Sequence, residues 1–251
     1  DQMLRELDTY RGIYLSSGYD YPGRYSRWDI ASVRPPLEIV ATGREVSFRA
    51  LNARGEVINR ILAPLVAEHP HWESFERRGT ELSGRLKPLP SLFPEEERSK
   101  QPSVFTILRA LIDEFRPLQY PRLVLVGAFG YDLLFQFDPI QLKLPRGNQE
   151  ALHLFLCDDI SYMDRKRERI DRYQYEFEAE GHSTAGLERS GEPAPPVAAR
   201  EPGPITTDHA PGEYMAKVEH VREGMKRGDY YEVVLRQAFR APYSGTPSRL
   251  F

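Results

Sequence analysis

Residues 37–51 read LEIVATGREVSFRAL, and this stretch decides that the chain builds a β-sheet. Two apolar runs, 37–40 and 46–51, flank Ala41-Thr42-Gly43-Arg44, an arrangement typical of a β-hairpin with a short turn. Outward from this hairpin, alternating or continuous apolar patterns predict further strands. They lie at 12–15, 73–86, 122–129, 152–157, 160–163 and 170–177, the last two as a hairpin around a charged turn at 164–169.

The predicted strand 122–129 (RLVLVGAF) is expected to be buried because most of its residues are apolar. Gly127 within it would allow another backbone or a ligand to approach closely.

Helical periodicity is strongest after Ser103, which can cap a helix whose apolar residues recur at i, i+3, i+4 and i+7 as far as Phe115. A second helix is predicted at 59–69, with a break or kink at Pro64. Further signals are a helix end at 4–10, a helix at 213–227 that ends at Gly228, and a strand at 230–239. The proline-rich stretch 88–102 is expected to be irregular.

A segment with six prolines, 186–211, divides the chain and is predicted to be a surface linker or mobile loop. Residues 1–185 then form one domain, and 212–251 begin another that is incomplete. The sequence starts at Asp1 without an initiator methionine and stops at Phe251 directly after a helix start. We therefore expect a fragment.

Composition narrows the class of protein. The 251 residues are 40% hydrophobic with a net charge of -3, and basic and acidic residues are interspersed, which gives no sign of a polyanion partner. One cysteine, Cys157, excludes an intrachain disulfide and a cysteine-based zinc site. No apolar run is long enough to span a bilayer, and the first residues are too polar for a signal peptide. These features predict a cytoplasmic protein that binds neither nucleic acid nor membrane.

No catalytic or metal-binding constellation is visible. His69 and His71 are the only close histidines, too few for a metal site. Asp158 and Asp159 are adjacent, so in a strand they point to opposite faces. The basic string 165–167 is interpreted as a solvated turn, and Cys157 as a buried small hydrophobe.

One segment suggests binding. Residues 15–29, LSSGYDYPGRYSRWD, combine two hydroxyls, guanidinium groups and several aromatic rings directly after a predicted strand. Such a set can bind a zwitterionic amino acid, with the hydroxyls on its charged groups and the rings over its side chain. An ordinary structured loop remains the alternative reading.

The same segment resembles the effector motif of anthranilate synthase component I, in the variant of enzymes fused to a glutamine amidotransferase. The matching residues are Tyr14-Leu15-Ser16-Ser17 and Gly23-Arg24-Tyr25-Ser26. Two further stretches match the family in the expected order: 126–133 (VGAFGYDL) resembles its Gly-Tyr-Phe-Gly-Tyr-Asp motif, and 214–239 resembles the entry to its chorismate-binding domain.

The resemblance implies an α/β fold of the α+β type, here truncated, with antiparallel sheets packed with helices. It implies that 1–185 sense tryptophan and that 212–251 begin the catalytic domain. Ser17 matches the effector-contacting serine, Ser16 stands where the family often has Glu, and Arg24 matches a basic position that can meet the effector carboxylate.

The activity implied is conversion of chorismate and glutamine-derived ammonia to anthranilate and pyruvate, with Mg²⁺ as cofactor and tryptophan as inhibitor. A fused amidotransferase domain and a homo-oligomer are also expected. In the family, the catalytic and Mg²⁺ residues follow the point where this chain ends, so none is assigned and 1–251 alone is expected to be inactive.

Two alternatives stay open. Aminodeoxychorismate synthase and phenazine-pathway relatives share the scaffold and differ in residues beyond Phe251. A non-catalytic amino-acid-binding regulatory module is the alternative from another class. The predicted strand 230–239 argues against it, because that strand would be left as an unpaired edge.

Overall fold

The structure is a computed structural model that describes residues 2–17, 27–90, 93–116, 122–137, 147–194 and 203–251. The chain forms two compact units, residues 1–194 and 195–251. The division falls inside the segment predicted as a linker, and the predicted domain limits at 185 and 212 stay predictions.

The first unit contains three helices and twelve strands among its described residues. The helices are α1 (Gln2–Leu7), α2 (Ala53–Ala67) and α3 (Val104–Phe115). The strands are β1 (Gly12–Leu15), β2 (Trp28–Val33), β3 (Leu37–Thr42), β4 (Glu45–Ala50), β5 (Trp72–Arg78), β6 (Glu81–Leu86), β7 (Leu125–Phe129), β8 (Leu152–Leu156), β9 (Asp159–Asp164), β10 (Arg169–Gln174), β11 (Glu178–Ala179) and β12 (His182–Ser183). Two 3₁₀ helices lie at Glu95–Lys100 and Tyr131–Gln136.

A six-stranded antiparallel sheet in the order β5-β6-β4-β3-β8-β7 forms the centre of this unit. The predicted hairpin is confirmed as β3–β4, with Leu37 opposite Ala50 and the turn at Gly43, whose φ is +60°. Glycine adopts this left-handed conformation without the clash that a Cβ brings. The mixed fold with antiparallel sheets and helices is likewise confirmed.

Helices α2 and α3 cover one face of this sheet and bury its main core. Leu37, Ile39 and Ala41 alternate along β3 and point toward Ile58 of α2 and Ile107 of α3, within one cluster of buried residues. The predicted break at Pro64 is wrong, because α2 continues to Ala67. Proline removes only one hydrogen bond here, in the last turn, where the apolar stripe still packs on the core.

The start of α3 is confirmed at Ser103, but a distant residue caps it. Ser103 makes no side-chain cap bond, and the backbone N–H of Val104 donates instead to Oε1 of Gln136 at 2.8 Å. Gln136 also donates to the carbonyl of Gly43 at 2.8 Å, so one amide joins α3 to the β3–β4 turn.

A second antiparallel sheet has four strands in the order β1-β2-β9-β10. The chain passes from the first sheet to the second through Cys157 and Asp158, which connect β8 to β9. The hairpin predicted at 160–177 is confirmed as β9–β10. One face of this sheet packs on a smaller cluster of Cys157, Ile160 and Tyr162. Cys157 is a buried small hydrophobe as predicted, and burial raises the pKa of its thiol to about 12.

Two strand predictions are corrected. Strand β7 begins at Leu125 and lies at the edge of the six-stranded sheet, so Phe129 is 57% exposed and not buried. Gly127 does permit a close approach: a Cβ there would lie 2.0 Å from the carbonyl oxygen of His153 on β8.

The strand predicted at 230–239 is also wrong. In the second unit, β13 (Thr206–Thr207) pairs with β14 (Phe239–Arg240), and 230–238 are irregular. Tyr231 is 97% exposed, and within the described chain no strand pairs with this stretch. Strand propensity alone does not form a ladder without a partner.

The helix predicted at 213–227 is confirmed as α4 (Glu213–Arg227), which ends at Gly228 with a φ of +83°. A short helix α5 (Pro247–Leu250) follows. Among all helices that the structure describes, none has the length and hydropathy needed to cross a membrane.

A fully buried arginine joins α2 to the chain between the two sheets. Nε of Arg54 donates to Oδ2 of Asp158 at 2.5 Å, and Nη1 lies 2.9 Å from Oε2 of Glu176. The remaining N–H groups bond the carbonyls of Tyr175, Thr184 and Leu187 at 2.9, 2.9 and 3.2 Å. Burial raises the pKa of Asp158, and Arg54 opposes that rise.

Replacing Arg54 with Met should destabilise the protein by about 3–5 kcal/mol, because Asp158 and three carbonyls lose their partner inside the fold. Arg60→Met is the control on the same helix, since Arg60 is 38% exposed and 3.7 Å from Glu56. It should change the free energy of unfolding by less than about 0.5 kcal/mol. Urea unfolding of 1–251 measures both, and equal effects would contradict the role given to Arg54.

Candidate functional site

The segment predicted to bind an amino acid leaves β1 at one end of the four-stranded sheet. Ser16 and Ser17 are half-buried and follow β1 directly, whereas Arg24 lies outside the described residues. The start of β2 and the β9–β10 turn lie at the same end, since Leu15 pairs with Ile30 and Trp28 with Asp164.

Ser16 belongs to a hydrogen-bonded cluster with Asp29 and Arg165. Nη2 of Arg165 donates to Oγ of Ser16 at 2.5 Å, and its Nε donates to Oδ2 of Asp29 at 2.9 Å. The hydroxyl of Tyr14 donates to the same carboxylate at 3.2 Å. Asp29 is only 4% exposed. The cluster thus ties the end of β1 to β2 and to the β9–β10 turn.

Charge stabilises this cluster. Burial raises the pKa of Asp29, but hydrogen bonds from Arg165 and Ser16 and the charge of Arg165 outweigh it and hold that pKa below its usual value. Asp164, at the start of the turn, also has a lowered pKa, chiefly because Arg27 donates to it at 2.9 Å. Both carboxylates are therefore ionised at neutral pH.

The sequence did not indicate that Arg165 joins the segment 15–29 through Asp29 and Ser16. The string 165–167 lies in an exposed turn as predicted, with the side chains of Arg165 and Arg167 41% and 71% exposed, but Arg165 also bonds Ser16 and Asp29. Ser16 and Arg165 are 149 residues apart, so only strand pairing brings them together. No local pattern in the sequence carries that signal.

The other face of the same sheet end carries aromatic rings and a third arginine. The guanidinium carbon of Arg122 lies 4.6 Å from the ring centre of Tyr162 and 5.6 Å from that of Trp28. The guanidinium carbon of Arg27 also lies over the ring of Trp28, 4.6 Å from the ring centre. Tyr162 is 6% exposed and Trp28 is 37% exposed. This face combines a cation with an accessible aromatic surface, the composition expected of a site for an aromatic anion.

Remaining candidate residues have structural partners. Asp158 and Asp159 point apart as predicted, the first to Arg54 and the second to Arg172 at 2.5 Å. His71 contacts Oγ1 of Thr106 at 3.0 Å. Within the described ranges, no group of three or more His, Cys, Asp or Glu side chains is placed to hold a metal ion.

Comparison with known proteins gives the class. Residues 86–251 match the family of chorismate binding enzymes. The chain therefore belongs to the chorismate-binding enzyme family.

Named relatives are more specific. The chain is 40% identical to an anthranilate synthase of Azospirillum brasilense over 264 residues, covering 100% of this chain and 34% of that protein. It is 25% identical to the pyocyanine-specific anthranilate synthase component 1 of Pseudomonas aeruginosa, over 89% of this chain and 44% of the relative. Anthranilate synthase component 1 of Vibrio cholerae is 23% identical over 82% of this chain. The chain spans less than half the length of the curated relatives it matches.

Replacing Asp29 with Asn should lower the free energy of unfolding by about 1 kcal/mol at neutral pH, because Arg165 loses an ionic partner but stays partly hydrated. Since the pKa of Asp29 is lowered, its contribution is present above the ordinary value of 3.8 and is lost as the pH falls through the lowered one. Urea unfolding of 1–251 between pH 3 and 7 should show the difference from wild type shrinking in acid.

Asp171→Asn is the matched control, because Asp171 pairs with Arg169 on the surface of β10, where both side chains are partly exposed. It should change stability by less than about 0.5 kcal/mol at every pH. A loss as large as that of Asp29→Asn, or one independent of pH, would contradict the role of the cluster.

Proposed function

We propose that this chain is the N-terminal part of an anthranilate synthase, which converts chorismate and glutamine-derived ammonia to anthranilate and pyruvate and is inhibited by tryptophan. The observation that carries the proposal is 40% identity along the whole chain to a protein named anthranilate synthase. All three relatives carry that name.

Relative lengths support the fused arrangement. The aligned stretch is 34% of the Azospirillum protein but 44% and 41% of the two proteins named component 1. The first relative is accordingly longer and leaves room for a further domain. A glutamine amidotransferase domain in the same parent chain fits this difference.

The geometry of the sheet end supports regulation by an amino acid. Ser16 is engaged by Arg165 and Asp29, so its hydroxyl serves mainly to hold the end of β1. Ser17, which is half-buried and follows Ser16 directly, is with Arg24 the motif residue proposed to contact the effector. The two serines therefore have different proposed roles: Ser17 binds the effector, and Ser16 holds the end of β1 in position.

Magnesium use is proposed for the parent only. The described residues present no cluster of three or more acidic or histidine ligands, so no residue of this chain is assigned to the ion. We expect 1–251 alone to form no anthranilate, because among the described residues no cluster is placed to hold the ion that assists loss of the chorismate hydroxyl.

The product formed by the full-length parent from chorismate and glutamine tests the activity. Anthranilate and pyruvate support the proposal. An aminated product that keeps the enolpyruvyl group would indicate an aminodeoxychorismate synthase or a phenazine-pathway relative. No conversion of chorismate at all would favour the non-catalytic regulatory module.

Replacing Ser17 with Ala in the full-length parent should relieve inhibition by tryptophan while chorismate turnover stays near normal. Losing one hydrogen bond to a charged group costs about 1.5–3 kcal/mol, which corresponds to roughly tenfold to hundredfold weaker effector binding. Arg24→Ala should act in the same direction. Inhibition curves at fixed chorismate measure the half-inhibitory concentration of tryptophan.

Ser74→Ala, at an exposed position of β5, is the control and should leave the curve unchanged. An unchanged half-inhibitory concentration in both the Ser17 and Arg24 variants, at normal turnover, would show that the effector site lies elsewhere.

A further inference from the structure

The first unit ends in a connecting segment, residues 187–194, which we call the strap. It follows β12 and leads to the second unit, which begins at residue 195. The carbonyl of Ser190 accepts a hydrogen bond from Nδ2 of Asn52 at 2.8 Å. The last residue of the strap, Ala194, donates its N–H to the carbonyl of Thr9 at 2.8 Å. The strap is therefore bonded to the first unit and reaches the residues near the start of the chain.

The strap ends beside the residues that lead into β1. Tyr10 forms an isolated antiparallel bridge with Pro193. Strand β1 begins two residues later, and its other end leads directly into residues 16–17 of the effector motif. Four strand residues span only about 13 Å. One short strand therefore separates the strap from the proposed effector site.

Strand β1 is loosely held. Within the described chain it pairs only with β2, so one ladder of hydrogen bonds fixes it. None of its four residues is fully buried. Segments with few buried contacts are displaced more easily than the core. A ligand bound at residues 16–17 can therefore displace β1, and the residues before it, without disturbing the packing under α2 and α3.

Arg34 joins the strap to the entry of β1. It follows β2, and its N–H donates to the carbonyl of Arg11 at 2.9 Å. Its guanidinium carbon lies 3.8 Å from the ring centre of Tyr10, and Nη1 pairs with Glu6 of α1 at 2.6 Å. Gly191 of the strap packs on the same side chain, since a Cβ there would lie 3.0 Å from Cγ of Arg34. One side chain thus contacts α1, the entry of β1 and the strap.

The backbone of Arg34 is strained. Its φ is +57°, in the left-handed region that residues other than glycine rarely adopt. Such a conformation persists only where surrounding contacts hold it, and strained residues are concentrated at sites that change conformation. The contacts of Arg34 with Glu6, Tyr10 and Gly191 supply this restraint. A displacement of β1 that loosens them acts on the strap as well.

We infer that the strap transmits tryptophan binding from the effector motif to the second unit, with Arg34 as the residue that couples them. This inference rests on the proposed regulation by tryptophan and adds the route by which that regulation acts. Because Gly12 pairs with Val33, Arg34 lies at the end of β2 opposite to the motif. It is therefore a positioning residue that does not contact the effector.

The test separates tryptophan binding from inhibition in the full-length parent. Arg34→Gly removes the coupling side chain and suits the positive φ, so the backbone is not strained further. Titration calorimetry should give a dissociation constant for tryptophan within about threefold of wild type. With chorismate below its Michaelis constant, saturating tryptophan should slow the wild type at least about fivefold and the variant less than about twofold. Turnover without tryptophan should stay normal.

Glu180→Gly is the matched control, because Glu180 also has a positive φ, +52°, and lies in the β11–β12 turn, outside α1, β1 and the strap. It should be inhibited like the wild type. Tyr10→Leu is a second variant, which keeps Arg34 but removes the ring under its guanidinium. It should weaken inhibition in the same direction, and it decides the question alone if Arg34→Gly does not fold.

A wild type that tryptophan does not inhibit overturns the proposed regulation and this inference together. Full inhibition of the Arg34 and Tyr10 variants, with an inhibited wild type, overturns the inference alone. A loss of tryptophan affinity that accounts for the lost inhibition also overturns it, because Arg34 would then support the effector site instead of coupling it to the strap.

Discussion

The buried contact between Arg54 and Asp158 is the constraint on which the rest of the first unit depends. Asp158 stands where the chain passes from β8 in one sheet to β9 in the other, and Arg54 projects from α2, the helix that covers the first sheet. Removing two charges from water is costly unless each is fully bonded. The bonds from Arg54 to the carbonyls of Tyr175, Thr184 and Leu187 complete that requirement and hold the chain after β10 against the same helix.

Strand register transmits this constraint to the candidate site. Once Asp158 is fixed, β9 begins at Asp159 and ends at Asp164, so Arg165 arrives at the level of Asp29 and Ser16. A shift of one residue would exchange the two faces of β9, removing Tyr162 from the core cluster and from Arg122. The two faces of the sheet end therefore depend on a contact made at the opposite end of β9.

Much of the fold could be predicted because its signals are local. Apolar runs around a glycine turn gave β3–β4, helical periodicity gave α3 and α4, and Gly228 gave the end of α4. What could not be predicted depends on distant partners. Val104 is capped by Gln136 and not by Ser103, and β7 lies at an exposed edge although its apolar composition predicts a buried strand. The site divides in the same way, since the segment 15–29 stands out in the sequence whereas Arg165 joins it only through long-range strand pairing.

The edge position of β7 affects how the isolated chain associates with other molecules. The six-stranded sheet ends at this strand, and Gly127, Ala128 and Phe129 are exposed along it. One row of backbone N–H and C=O groups on β7 thus has no strand beside it in the part of the chain described. Such an edge accepts any extended segment, including the same edge of a second molecule. For the isolated chain, then, concentration as well as stability decides whether it stays dispersed: two molecules that are each correctly folded still offer one another an unfinished sheet.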